Sequence, residues 1–137
     1  MHTVLICTLG DLLLDTIVRL ERPFARGDDA PAVTRSGPGG QAANVAAWAA
    51  TLGAQARFIG KRGDDAAGAL AAAGLAAFGV DVVGPVAAGG RTGMVVSVVE
   101  PDGERTMLSD RGSSPELAPA EIEPAWLVGC ACLHLSG

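Results

Sequence analysis

No run of five or more basic residues occurs in these 137 residues, whose formal net charge is −5. That leaves no electrostatic footprint for nucleic acid or an anionic membrane, and it points to a small neutral or anionic metabolite as partner. Cysteine is scarce as well. Cys7, Cys130 and Cys132 cannot all pair within the chain, and they lack the second cluster or histidine pair of a zinc site. A reduced, cytoplasmic setting is expected, with Cys130 and Cys132 as small apolar residues on one face of a buried strand. No hydrophobic stretch is long enough to span a membrane, and the apolar start at 4–14 has no basic leader and is broken by Gly10 and Asp11. The P-loop run G-x-x-x-x-G-K-[ST] is missing too, which excludes that phosphate-binding chemistry.

What is present can bury a core: 49% of the residues are hydrophobic, at single-domain length. The most constraining stretch is Gly37-Pro38-Gly39-Gly40-Gln41-Ala42-Ala43-Asn44, a glycine turn feeding a helix of small residues. Gly39 and Gly40 carry no Cβ to hold a polar ligand off the main chain, and the helix start offers free N–H groups. Asn44 falls in the first helical turn, where its amide both donates and accepts, as a polyhydroxyl ligand requires.

Periodicity organises the rest. The run 4–9 reads as a buried parallel strand, 16–20 and 32–36 as further strands, and 41–52 as a helix with an apolar stripe at Val45, Trp48 and Leu52 that Gly53 ends. A strand at 56–59 leads to a helix capped by Asp64 or Asp65 and running through Phe78, with a stripe at Ala66, Leu70, Ala73 and Ala77. After Gly79 comes a strand at 80–86, then a hairpin of 94–99 and 105–109 around Glu100-Pro101-Asp102-Gly103-Glu104. Short helices are expected in 115–126 and a last strand at 131–136. Alternating strands and helices predict an α/β parallel sheet, and the hairpin with the early strands predicts a small separate antiparallel sheet over one edge. A final parallel strand without a covering helix suggests a sheet that continues beyond this chain.

The run Gly37-Pro38-Gly39-Gly40-Gln41-Ala42 also satisfies G-x-G-x-x-A, which makes an NAD(P)-dependent oxidoreductase an alternative. Context opposes it: the stretch before Gly37 is short and half polar, and Lys61-Arg62 stand where a ribose-binding acid is expected.

In order and spacing, Gly39-Gly40-x-x-x-Asn44, Leu52-Gly53-Ala54, Phe58-Ile59-Gly60-Lys61-x-Gly63-Asp64-Asp65-x-x-Gly68 and Phe78-Gly79-Val80-Asp81 resemble the N-terminal signature of the ribokinase-like (PfkB) carbohydrate kinases. Gly10-Asp11-x-x-x-Asp15, Thr92-Gly93, Gly103-Glu104-Arg105 and Arg111-Gly112-Ser113-Ser114 extend the match, the last where the family often has R-G-A-N. The resemblance implies a Rossmann-like parallel sheet flanked by helices, incomplete here, with residues 1–137 as the N-terminal part of the kinase domain. It also implies a β lid formed by segments at about 16–36 and 92–110. The implied reaction moves the γ-phosphoryl of ATP to a sugar hydroxyl, with Mg2+ and, as a further family cofactor, a monovalent cation.

By the same resemblance Asp15 is the sugar-binding aspartate, its carboxylate accepting from neighbouring hydroxyls with charge assistance. Gly39, Gly40 and Asn44 complete the sugar site, with Asp11 as a secondary candidate. The family's C-terminal G-A-G-D run, which supplies the anion hole and the general base, does not occur in the 137 residues, so no catalytic residue is assigned. A non-catalytic sugar-binding or regulatory half-protein is the competing reading. Met107-Leu108-Ser109-Asp110 on the second hairpin strand and the absence of tyrosine disfavour an acidic substrate, leaving a sugar or nucleoside, unless Arg111 points inward. Val95, Val96, Val98 and Val99 put apolar residues on both faces of a lid strand, which implies a homodimer meeting lid to lid.

Overall fold

The chain is described by a computed structural model over residues 3–137. Its apolar start forms β1 (Leu5–Leu9), the centre of a parallel sheet. β1 pairs on one side with β10 (Cys130–Leu135) and on the other with β4 (Gln55–Ile59), which in turn pairs with β6 (Val80–Val83). Helix α1 (Gln41–Thr51) packs on β1 and β4, and α2 (Ala66–Ala76) packs on β6 and on a second sheet. That sheet has the order β3 (Ala32–Gly39), β2 (Leu13–Leu20), β8 (Thr92–Val99), β9 (Arg105–Gly112). Its outer pairs are antiparallel and its central pair is parallel. Two short strands, β5 (Arg62–Gly63) and β7 (Val86–Ala87), pair between the two sheets in sequence. The fold class is the expected mixed α/β one.

The helices bury different faces from those expected. In α1, Ala42, Ala43 and Ala46 are buried while Trp48 is 66% and Leu52 81% exposed. Alanine lets the helix axis approach the sheet closely, and Phe58, fully buried on β4, fills the space a large helical side chain would need. In α2 the buried residues are Gly68, Ala71 and Leu75, not the Leu70 stripe, and Leu70 is 62% exposed. Every residue of α2 is Ala, Gly or Leu, so no polar position marks its outer face. Its start is as expected: the Asp65 side chain caps it by accepting from Gly68 N at 2.9 Å.

Strand boundaries shift where the ladder outruns the side-chain pattern. β2 begins at Leu13 and β3 continues to Gly39, with Asp15 opposite Gly37 and Leu13 opposite Gly39. Glycine and proline are tolerated in β3 because it is an edge strand. The expected strand at 80–86 is broken at Gly84-Pro85, since Gly84 has φ +131° and a Cβ there would collide with the Gly60 carbonyl. Residues 115–126 form 3-10 turns, each with a proline in its first two positions. Cys130 and Cys132 do not share a buried face. A register shift sets them opposite Leu5 and Ile6, neighbours that point to opposite sides, and Cys132 is exposed on the sheet edge.

Candidate functional site

A cleft of about 410 Å³ opens at the C-terminal ends of the parallel strands, between the start of α1 and one face of the second sheet. Ligands of open α/β sheets characteristically bind at this end. Strand alternation selects its walls: Leu13 and Asp15 of β2, Val95 of β8, and Met107, Ser109 and Arg111 of β9 all project into it. Cross-strand register carries this through the sheet, because Asp15 stands opposite both Gly37 and Val95, and Val95 opposite Ser109. Asp11, Gly40, Gln41 and Asn44 close the other side.

Asp15 is half-buried, and its Oδ1 is buried with no hydrogen-bond partner among the described residues. Burial pushes its carboxyl above the usual aspartate value. An unpaired buried carboxylate oxygen is costly unless something donates to it, and in this cleft a ligand hydroxyl can. Asn44 is exposed on the first turn of α1, with its backbone N–H bonded to Gly40 O at 2.9 Å. No side chain caps this helix, and the Asn44 amide makes no hydrogen bond among the described residues.

The two glycines act differently from the sequence-based expectation. The space over Gly39 is filled by the Asp15 carboxyl group, and that over Gly40 by the Asp11 carbonyl, so a Cβ at either position would collide with the chain itself. Gly39 thus seats Asp15 and does not line the cleft, whereas Gly40, at φ +100°, lines it and turns the chain into α1. Asp11 is held by Arg111 in a two-pronged pair, Nε to Oδ2 at 2.6 Å and a second guanidinium nitrogen to Oδ1 at 3.0 Å. Arg111 does point inward, with Asp11 balancing its charge.

Hydrogen bonds behind the cleft fix these strands. Asp65 accepts from Thr92 N at 2.9 Å and from Thr92 Oγ1 at 2.6 Å, and Gly63 N donates to Thr92 Oγ1 at 3.0 Å, tying the start of β8 to the start of α2. The Thr92 hydroxyl is the leading cause that holds the Asp65 carboxyl below the usual range. Ser114 is buried, and its single hydroxyl proton is within reach of the carbonyls of both Leu12 and Lys61, each 3.3 Å from Oγ.

Residues 4–137 match the pfkB family carbohydrate kinase profile. This chain belongs to that family. It is 34% identical over 135 residues to the ATP-dependent ribose-1-phosphate kinase of Halopiger xanaduensis, covering 97% of this chain and 46% of that protein. Fructokinase-1 of Oryza sativa subsp. japonica is 37% identical over 136 residues, covering 95% and 40%. The structure of ribokinase from Giardia lamblia superposes with a TM-score of 0.83 at 22% identity, covering 97% and 44%, and so shares the fold. The chain spans under half the length of each of these proteins.

Membership in a carbohydrate kinase family removes the dinucleotide alternative, and the geometry agrees. In the pfkB chain the glycine run ends an antiparallel edge strand, not the first strand of a parallel sheet, and its own carboxylate and carbonyl occupy the room a pyrophosphate would need. Of the sequence-derived site residues, the cleft gathers Asp11, Asp15, Gly40 and Asn44. The sequence reading did not single out Gln41, took Val95 as part of the pairing surface, and used the stretch Met107 to Asp110 only to weigh the substrate's charge, without naming Met107 and Ser109 as lining residues. Counting every second residue from Arg111 back along β9 would have found Ser109 and Met107.

Proposed function

We propose that these residues form the acceptor-binding half of an ATP-dependent carbohydrate kinase, taking a sugar or the sugar of a nucleoside. Its second sheet, 13–39 with 92–112, would serve as the lid. The observation that carries this is the buried, unpartnered Oδ1 of Asp15 in a cleft shared with the free amide of Asn44. Two vicinal hydroxyls would donate to the Asp15 carboxylate, and Asn44 would donate to or accept from a third. Asp11, neutralised by Arg111, would orient the lid strand instead of contacting the sugar. The free thiols of Cys7, Cys130 and Cys132 suit a reducing cytoplasm.

On this reading the G-A-G-D signature, which the 137 residues do not contain, would hold the magnesium-bound ATP. No cluster of three or more His, Cys, Asp or Glu groups able to hold a metal is found among the described residues. What these residues do is bind and orient the acceptor, which in phosphoryl transfer supplies the positioning part of catalysis. Sugar-dependent ADP release is expected from a longer chain carrying that signature and not from the 137 residues alone. Turnover by the short chain would refute this division of labour. Titration calorimetry with D-ribose and D-fructose tests the binding half. Asp15→Ala should weaken the cognate sugar by about 1.5–3 kcal/mol, about ten- to a hundredfold or more in Kd, with a similar or smaller loss for Asn44→Ala. Unchanged affinity in both variants would return the two residues to structural roles. Binding in the longer chain without ADP release would favour the regulatory half-protein.

A further inference from the structure

A second hollow, of about 300 Å³, opens between α1 and α2 and shares one lining residue, Asn44, with the sugar cleft. Helical spacing builds it. Asn44, Ala47, Trp48 and Thr51 lie three or four apart and form one face of α1, and facing them are Leu75, near the end of α2, and Phe78, just past it. Leu75 is fully buried, whereas Trp48 and Phe78 stand largely exposed. In a chain with only 4% aromatic residues, two that the core does not use edge the same hollow. None of its lining residues is charged. Its polar groups are the Trp48 indole N–H, Thr51 and Asn44. Thr51 Oγ1 donates to Ala47 O at 2.8 Å, which leaves only its acceptor side free. The Asn44 amide is unpaired among the described residues and offers a donor and an acceptor side by side.

We propose that this hollow binds a neutral, planar heteroaromatic molecule and that its occupation weakens sugar binding through Asn44, a coupling that rests on the sugar-kinase reading. Each part of the ligand's chemistry answers a feature of the hollow. Trp48 and Phe78 give faces on which a flat ring stacks, and with no charged lining residue an ionised ligand would lose its hydration without gaining a partner. In volume the hollow stands at the lower end of small-molecule sites, which suits a ligand no larger than a fused ring pair. A ring edge carrying a donor beside an acceptor, as in a carboxamide or a purine, matches the Asn44 amide. That amide cannot give the same hydrogen bonds to a ring in the hollow and to a sugar hydroxyl in the cleft. The two ligands therefore oppose each other, by the same factor in both directions.

The test is titration calorimetry of the chain with adenine and nicotinamide, and with nicotinate as a charged analogue. At least one of the two neutral rings should bind saturably, and nicotinate should bind at least about tenfold more weakly than the tighter of them. Trp48→Leu and Phe78→Ala, both at exposed positions outside the sugar cleft, should each weaken the ring about fivefold or more and leave sugar affinity unchanged. A saturating ring should raise the Kd of D-ribose or D-fructose about fivefold or more, an effect that shrinks in Trp48→Leu at the same ring concentration. Binding of neither ring, equal binding of nicotinate, ring binding that both variants leave unchanged, or a sugar affinity indifferent to the bound ring overturns the proposal. If the sugars bind and Asp15→Ala weakens them, the sugar-kinase reading survives that failure. If a ring binds as expected and neither sugar does, the sugar-kinase reading and the coupling fail while the hollow keeps its ligand.

Discussion

Asp15 carries a stability cost at neutral pH that the proposed sugar-binding role would explain. Burial raises its pKa, so the folded chain holds this proton more tightly than the unfolded chain does. Its contribution to stability is therefore greatest at acid pH and is lost as pH rises through the raised folded value. Asp15→Asn removes the buried charge and should raise Tm at pH 7 while weakening sugar binding, the trade expected of a ligand-ready site. Thermal unfolding with and without sugar checks both halves, and a lower Tm for the variant would contradict the burial argument. Sugar affinity should move the other way with pH. It should decline as pH falls through a value above the ordinary aspartate range near 3.9, because a protonated carboxyl accepts less strongly. At this scale the motif spacing of Asp15 and Asn44 was legible, since type and distance alone carry it. The seat that Gly39 makes for Asp15 was not, because it depends on which residue of β2 faces which residue of β3.

Among the elements, caps and turns were the readable parts and buried faces were not. Asp65 as cap of α2 and the Glu100–Glu104 turn, closed by Glu100 N to Glu104 O at 2.9 Å, follow from local chemistry. The buried faces of α1 and α2 follow from how close each helix sits to its sheet, which an alanine-rich sequence does not signal. Ala46 on α1 is fully buried, so Ala46→Leu should cost about 1–3 kcal/mol in urea unfolding, while Trp48→Ala should change stability by about 0.5 kcal/mol or less. The reverse order would restore Trp48 to the core. Between elements, the junction of α2 with β8 rests on Thr92, which is buried and bonded to both Asp65 and Gly63. Thr92→Val keeps the shape and removes the hydroxyl, leaving Gly63 N without its acceptor, for an expected loss of about 1–3 kcal/mol. Asp65 has a depressed pKa, so its stabilisation is present above its unfolded pKa and lost as pH falls through the lower folded value. Thr92→Val should lessen the loss of stability on acidification, and an unchanged acid limb would assign the depression to the backbone donors instead.

For the whole molecule, the two faces of the second sheet differ in what they would offer a second copy of the chain. On the cleft face, the outer rows carry Arg19, Arg35 and Arg105, and two such faces would repel each other. The opposite face carries Val18 and Leu20 of β2, Val96 and Val98 of β8, and Leu108 of β9, with Leu108 61% and Met94 42% exposed. Helix α2 packs on this sheet, and Pro38 lies against Gly74, so α2 covers part of that face and leaves the region around Leu108 open. Apolar residues concentrated there favour an isologous pair of chains joined back to back through the sheets, each cleft facing away from its partner. The valines of β8 divide accordingly: Val96 belongs to the apolar face, and Val99 to the arginine face. Light scattering on the family-length protein should then report a dimer at micromolar concentration. Leu108→Lys should convert it to monomer, because an ammonium would be buried against its own copy, while Val99→Lys should leave it dimeric. A monomer without any substitution would rule the pairing out. A dimer lost to Val99→Lys but indifferent to Leu108→Lys would move the contact to the cleft face and bring the partner's side chains to the mouth of the sugar site.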